Sequence, residues 1–255
     1  KDKIMMGPER KGARITMDTS RYTQLGRWQG SLTIKGETLD ITSDDYLGVR
    51  DHSWGVRYDV GLPPEDVEPN EGIPAGAGFM MIWCPLLMTK SDGTQYGMHL
   101  HFTWFSMPGF EQKMVTSRLE FEGGGEIGIT DIVPNLQFDP NNRRLLGGEL
   151  ECTLADGSRR TLVVEVMSDT GIQLGAGLYF GFDGQHHGQW RGDLHVGGER
   201  IADCSTPELA RRLHQIRDTV VRVTDSAGDA VGVGNCQPIA YFDIELDHQR
   251  LTDNY

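Results

Sequence analysis

Apolar and polar residues alternate with a period of two along several short runs of this chain, and only a pleated strand with one buried and one wet face has that period. Val115, Ser117, Leu119 and Phe121 alternate with Thr116, Arg118, Glu120 and Glu122. Leu150, Cys152 and Leu154 alternate with Glu149, Glu151 and Thr153, and Phe242, Ile244 and Leu246 with Tyr241, Asp243 and Glu245. Ser91-Asp92-Gly93, Ala155-Asp156-Gly157 and Ser226-Ala227-Gly228 each separate two apolar runs, as hairpin loops do. The expected fold class is all-β, built from many short strands. One segment departs from it: Ser205-Thr206-Pro207-Glu208 has an N-cap serine, a proline in the first turn and a glutamate three residues after the cap. With Leu209, Leu213 and Ile216 on one face, it predicts a single short helix from about Thr206 to Arg217.

The chain also repeats itself. Leu25–Glu37 and His187–Glu199 both read Gly-x-Trp-x-Gly-x-Leu-x-β-branched-x-Gly-Glu. The simplest account is two related β units, each with a Gly-x-Trp strand, at Gly26 and Gly188. Too few residues follow Gly188 to close an eight-stranded barrel, so the second unit is expected to be incomplete.

Composition removes several classes of function. With Lys+Arg 24 against Asp+Glu 37, the formal charge is −13, which argues against a nucleic acid or an anionic membrane surface as partner. The longest nearly uncharged apolar stretch, Ala77–Met88, is interrupted by Pro85 and falls short of the roughly 20 residues that cross a bilayer. The first residues, Lys1 to Met6, include no apolar core of a signal peptide. Cys84, Cys152, Cys204 and Cys236 are widely spaced, which predicts unpaired, mostly buried thiols and a cytoplasmic protein. The acidic, proline-rich run from Pro63 to Pro74 reads as a loop, either a lid or a solvated connector.

The densest concentration of chemistry is Gly48-Val49-Arg50-Asp51-His52-Ser53-Trp54-Gly55-Val56-Arg57. Such residues are costly to bury unless paired. On a strand, Arg50, His52 and Trp54 share one face, and Asp51, Ser53 and Gly55 the other. Two readings stand at this point. Asp51 or His52 looks into a barrel and acts as a general acid or base, or an Arg–Asp pair closes one end of a barrel with Trp54 as core.

Gly-Val-Arg-Asp-His-Ser-Trp-Gly resembles the signature segment of the AttH/carotenoid-hydratase-like superfamily, with the nearest likeness to its uncharacterised bacterial branch, which carries Arg-Asp-x-Ser-Trp-Gly-Val-Arg after a Gly-x-Trp-x-Gly strand. Arg50, Asp51, Ser53, Trp54, Gly55, Val56 and Arg57 match that pattern, and the likeness covers about residues 22–58 and 184–200. The resemblance implies two lipocalin-like β-barrel units. It also implies hydration, dehydration, isomerisation or cyclisation of hydrophobic polyenes, terpenoids or polyketides without a metal or organic cofactor. In that chemistry Asp51 would protonate an alkene and Trp54 stabilise the cation. Hydratases tend to carry an aromatic residue before the aspartate, where this chain has Arg50.

Met98-His99-Leu100-His101-Phe102-Thr103-Trp104 is the second candidate, with His99 and His101 on one strand face. A His-x-His pair binds zinc given a third ligand, and none stands at a matched spacing, so no metal is expected and the histidines are read as lining a cavity. Met80, Met81, Met88, Met98 and Met107 read as core, or as the lining of an apolar cavity. No phosphate-binding loop, His-Glu-x-x-His or Gly-x-Ser-x-Gly is present.

Together these features predict two lipocalin-like units, over 1–185 and 186–255. They predict a cofactor-independent, hydratase-like lyase or isomerase acting on a hydrophobic unsaturated small molecule in a barrel cavity. Asp51 and His52 are the expected catalytic residues, and Arg50, Trp54, Arg57, His99, His101 and Trp104 line the pocket. The rival reading is a non-catalytic carrier of such a ligand.

Overall fold

A computed structural model describes residues 2–56, 74–167, 172–173, 184–186, 188–197, 200–213, 217–246 and 249–251. The order of elements is β1 (Asp2–Lys11), β2 (Arg14–Arg27), β3 (Gly30–Ile34), β4 (Glu37–Ile41), β5 (Leu47–Val56), β6 (Gly78–Lys90), β7 (Gln95–Met107), β8 (Phe110–Val115), β9 (Ser117–Phe121), β10 (Glu126–Phe138), β11 (Leu145–Leu154), β12 (Arg159–Val166), β13 (Ile172–Gln173), α1 (Pro207–Arg212), β14 (Arg217–Asp225), β15 (Ala230–Phe242), β16 (Ile244–Leu246) and β17 (Gln249–Leu251). Among the described residues the fold is all-β with one short helix, and the strands are those that the alternation predicts.

Eight strands form a ring in the order β12-β11-β10-β9-β7-β6-β15-β14, and β14 pairs back onto β12 to close it. A closed barrel leaves no sheet edge to aggregate. The three hairpin loops read from the sequence are in place. Asp92 accepts a hydrogen bond from the Thr94 amide between β6 and β7, Asp156 one from the Ser158 amide between β11 and β12, and Asp225 one from the Gly228 amide between β14 and β15. These side chains satisfy amides that the turn would otherwise leave unpaired.

The alternation fixes what fills the barrel. Met80, Ile82, Cys84, Leu86 and Met88 of β6 point inward with Met98, Leu100 and Phe102 of β7, and they meet Leu136, Leu150, Leu162 and Val221 from across the ring. Eight strands enclose a space just wide enough for side chains to fill, and residues as bulky as Phe102, Phe138 and Met80 fill it. This corrects the expectation of a ligand cavity inside the barrel: the interior is core, and the open space lies on the outer wall. All four thiols are free, and Cys84, Cys152 and Cys236 belong to that core. No helix among the described residues is long and apolar enough to cross a membrane.

A separate three-stranded sheet, β1-β2-β5, and the hairpin β3-β4 come from the first 56 residues. The boundary expected at 185/186 lies within the span of the barrel, which takes strands from both sides of it. A further correction concerns the repeat. Gly26 lies at the end of β2, while residues 188–197 form no strand, and Trp190 and Leu194 are exposed. Like sequence did not give like structure, because nothing among the described residues covers the apolar face of the second copy. The helix is shorter than expected: Thr206, not Ser205, caps it through the Leu209 amide, and Arg217 already opens β14. Residues 63–73 of the acidic loop lie outside the described residues.

Candidate functional site

With the even-numbered residues of β6 and β7 turned into the barrel, the odd-numbered ones face outward. Trp83 and Pro85 stand beside His101 and His99 there, in direct register across the two strands. An outer barrel wall is ordinarily wet, yet His99 is only 4% exposed and Trp83 is also buried. The cover is β2, whose alternation aims Arg21, Thr23 and Leu25 at the barrel. The Trp83 indole N–H donates to Thr23 Oγ1 at 3.4 Å, which ties the two layers together. Arg21, Thr23, Trp83, His99 and His101 enclose a space of about 10 Å³, room for no more than one water molecule. Beside it, and also bounded by His99, a groove of about 330 Å³ opens between Leu25 and Arg27 of β2 and Leu87, Gly97 and Glu120 of the barrel wall.

Burial sets the electrostatics. Desolvation pulls the His99 imidazole below its ordinary pKa, against the pull of Glu120, whose Oε2 lies 3.3 Å from His99 Nε2. Desolvation, helped by the charge of Arg21, lowers His101 to about 4. Both rings are therefore neutral at neutral pH. In His99 the pairing with Glu120 assigns the proton to Nε2, and Nδ1 is a buried atom with no hydrogen-bond partner. A buried imidazole with one nitrogen on a carboxylate beside a groove is equipped to move a proton.

The motif strand β5 pairs with β2, which places Asp51 opposite Thr23 and His52 opposite Tyr22. Asp51 therefore looks toward the barrel, where its carboxylate lies 3.8 Å from Arg21 Nε. Arg50, His52 and Trp54 look away from it. His52 stacks at 5.4 Å from both Tyr22 and Trp54, and Arg50 lies over the Tyr22 ring on an outer face where Trp54 is 48% exposed. Arg57 lies outside the described residues. Trp104 points into one end of the barrel, against the core, and its N–H donates to Glu111. The structure thus gathers His99 and His101 with Arg21, Thr23, Trp83 and Glu120, and sets Arg50, His52, Trp54 and Trp104 elsewhere. Sequence reading missed Glu120, which looked like one more wet position of an alternating strand. The available signal was the pair of histidines on the supposedly wet face of the neighbouring strand.

Two expected outcomes follow. Gly55 has φ +119°, and a Cβ there would lie 2.0 Å from the Asp18 carbonyl oxygen on the paired strand. Gly55→Ala should therefore cost about 2 kcal/mol through backbone strain and displacement of β2, seen as an earlier loss of Trp fluorescence in urea. Asp51→Asn should behave differently. The Asp51 side chain is 41% exposed, and half-exposed ion pairs contribute at most about 1 kcal/mol. Its melting temperature should fall by no more than a few degrees, and a larger loss would make Asp51 a structural residue.

Among the described residues no three His, Cys, Asp or Glu side chains are grouped to hold a metal ion. A model of a family of unknown function (DUF8625) matches residues 7–239. No curated protein matches the sequence significantly. The crystal structure of kievitone hydratase from Nectria haematococca is similar, with a TM-score of 0.41 and 11% identity over 86% of this chain and 53% of that one. The chain thus spans about half the length of that structure.

Proposed function

We propose that this chain, which belongs to the DUF8625 family of unknown function, is a cofactor-independent lyase or isomerase of the hydratase kind, acting on a hydrophobic unsaturated small molecule in the groove between β2 and the barrel wall. The observation that carries the reading is the His99–Glu120 pair at the foot of that groove. Leu25 and Leu87 offer an apolar wall to the body of the ligand, and the pair offers one mobile proton. The resemblance of the Arg50–Arg57 segment to the hydratase-like superfamily supports the reaction class.

In this reading the His99–Glu120 pair takes a proton from one carbon of the ligand and returns it to another, and the double bond moves between them. In the dehydration direction the proton leaves carbon for the pair, hydroxide leaves the neighbouring carbon, and the two combine as water. Neither route changes oxidation state. Within the pair the carboxylate of Glu120, one-third exposed, is the group that meets the ligand's proton, and the Nε2–H of His99 donates to that carboxylate and positions it. Asp51 lines neither the groove nor the chamber and meets the site only through Arg21, 3.8 Å away. His52 stays with the rings of the outer face and enters no step.

The test is isotopic. The protein is incubated in D2O with a panel of terpenoid, polyketide and phenolic alkenes, and the recovered compounds are analysed by mass spectrometry. Deuterium on carbon in at least one of them, absent without protein, is the expected result. Binding of panel members with no exchange in any would replace the enzyme by a carrier.

A further inference from the structure

We infer that the ligand of the groove is a carbonyl compound and that Arg27 holds its oxygen while a neighbouring carbon gives up a proton; this rests on the groove being the ligand site and names the substrate class of that reading. Arg27 ends β2, two residues after Leu25, so the alternation aims both at the barrel wall. Among the described residues it is the one cationic side chain that lines the groove, which Leu87 and Glu120 also line. The turn between β4 and β5 sets its position. The Thr42 carbonyl accepts from the amides of Asp45 and Tyr46, and the Thr42 hydroxyl donates to the Asp45 carboxylate, so the carbonyls of Ser43 and Asp44 stay outside the turn's own hydrogen bonds. Arg27 Nη1 donates to those two carbonyls, at 2.5 Å and 3.5 Å. A guanidinium carries five N–H donors in a fixed fork. Anchored by Nη1, Arg27 keeps Nε and Nη2, which donate to no acceptor among the described residues.

The base in the groove calls for such a partner. A carboxylate is a weak base, and it takes a proton from carbon only where the electron pair left behind can move onto an oxygen. An isolated alkene has no oxygen to receive it. Beside a carbonyl the step balances: the C–H bond breaks, its proton goes to Glu120, its electron pair forms the C=C bond of an enolate, and the carbonyl π pair goes to the oxygen. Donors already in place where negative charge develops lower the barrier to that step, and the unused N–H groups of Arg27 are such donors. The enolate then takes the proton back at a more distant carbon, which moves the double bond, or expels hydroxide from the next carbon, which completes a dehydration. Neither outcome needs an oxidant or a reductant. Leu25 and Leu87 hold the apolar remainder. The ligand class is thus an enone, a β-hydroxy ketone or an aryl ketone, and not a hydrocarbon polyene of the same size.

The test compares 2-acetylnaphthalene with 2-ethylnaphthalene, which has CH2 in place of the carbonyl, by equilibrium dialysis against wild type, Arg27→Met and Arg27→Lys. Wild type should bind the ketone about tenfold more tightly, the range that one hydrogen bond from a charged donor supplies. In D2O the acetyl methyl of the bound ketone should take up deuterium faster than in buffer. Arg27→Met should abolish the preference, leave the affinity for 2-ethylnaphthalene unchanged and slow the deuterium uptake about tenfold or more. Arg27→Lys keeps the charge and should retain part of both effects; with the wild-type comparison it decides the matter if Arg27→Met fails to fold. Equal affinity of wild type for the two compounds overturns the carbonyl class and leaves the groove as an apolar ligand site. A preference that survives in Arg27→Met overturns the role of Arg27, and a bound ketone that gains no deuterium overturns the enolate step. Binding of neither compound by wild type overturns the ligand site and the proposed function with it.

Discussion

Acidification from pH 6.5 to pH 4 should remove about 2–3 kcal/mol of unfolding free energy through His101 alone. Desolvation first, and the charge of Arg21 second, hold the folded-state pKa of this histidine at about 4, against 6.5 for an exposed imidazole. Between those values the unfolded chain binds a proton that the folded protein refuses. Stability from this source is therefore complete above pH 6.5, falls as pH drops through the window, and is lost below pH 4. Each tenfold rise in proton concentration inside the window costs about 1.4 kcal/mol. His99 acts in the same direction, partly offset by Glu120. Urea unfolding at half-unit steps of pH should show the slope, and His101→Phe should flatten it whatever that variant does to stability at pH 7.5. An unchanged slope in His101→Phe would mean that the ring is more hydrated than its place beneath β2 requires.

The same burial explains which features were legible in the sequence. Alternation is a local property, so the strands carrying Leu119, Leu150 and Cys152 and the Asp-Gly and Ala-Gly turns between strands could be read directly. The two faces of β5 could be read as well, including the separation of Asp51 from His52. What a face looks at is not local. The odd-numbered face of β7 differs from any solvent-facing strand only by carrying His99 and His101, and its meaning depends on β2 arriving from some 75 residues earlier in the chain. The motif drew attention to β5, whose glycine and Arg–Asp pair have structural partners in β2. Glu120, at an unremarkable place in an alternating strand, supplies the carboxylate nearest the buried imidazole. The repeat misled for a related reason. A strand forms where a partner covers it, and the exposed Trp190 and Leu194 have the pattern without the partner.

His99→Gln should lower turnover by about 10²-fold while leaving ligand affinity within a few-fold, the loss that follows when a positioned catalytic group is displaced by about 1 Å. Glutamine keeps a donor for Glu120 and comparable bulk, so the groove stays open and the β2 layer stays docked. Glu120 is one-third exposed, so exchanging the imidazole for the glutamine amide beside it should cost the fold at most about 1 kcal/mol. The pH dependence adds a second readout. With desolvation lowering the His99 pKa, the neutral ring persists well into mild acid, so the deuterium-exchange rate should hold steady from pH 7.5 downward and fall only below the ordinary imidazole range. Glu120→Gln removes the group that raises that pKa, and should therefore move the acid limb of the profile to still lower pH while reducing the plateau. A merely structural Glu120 would change the plateau without moving the limb. Exchange by His99→Gln at the wild-type rate would sink the assignment of His99 and send the search for the proton donor to Asp51, whose conservative variant is expected to keep its fold and can be assayed in the same way.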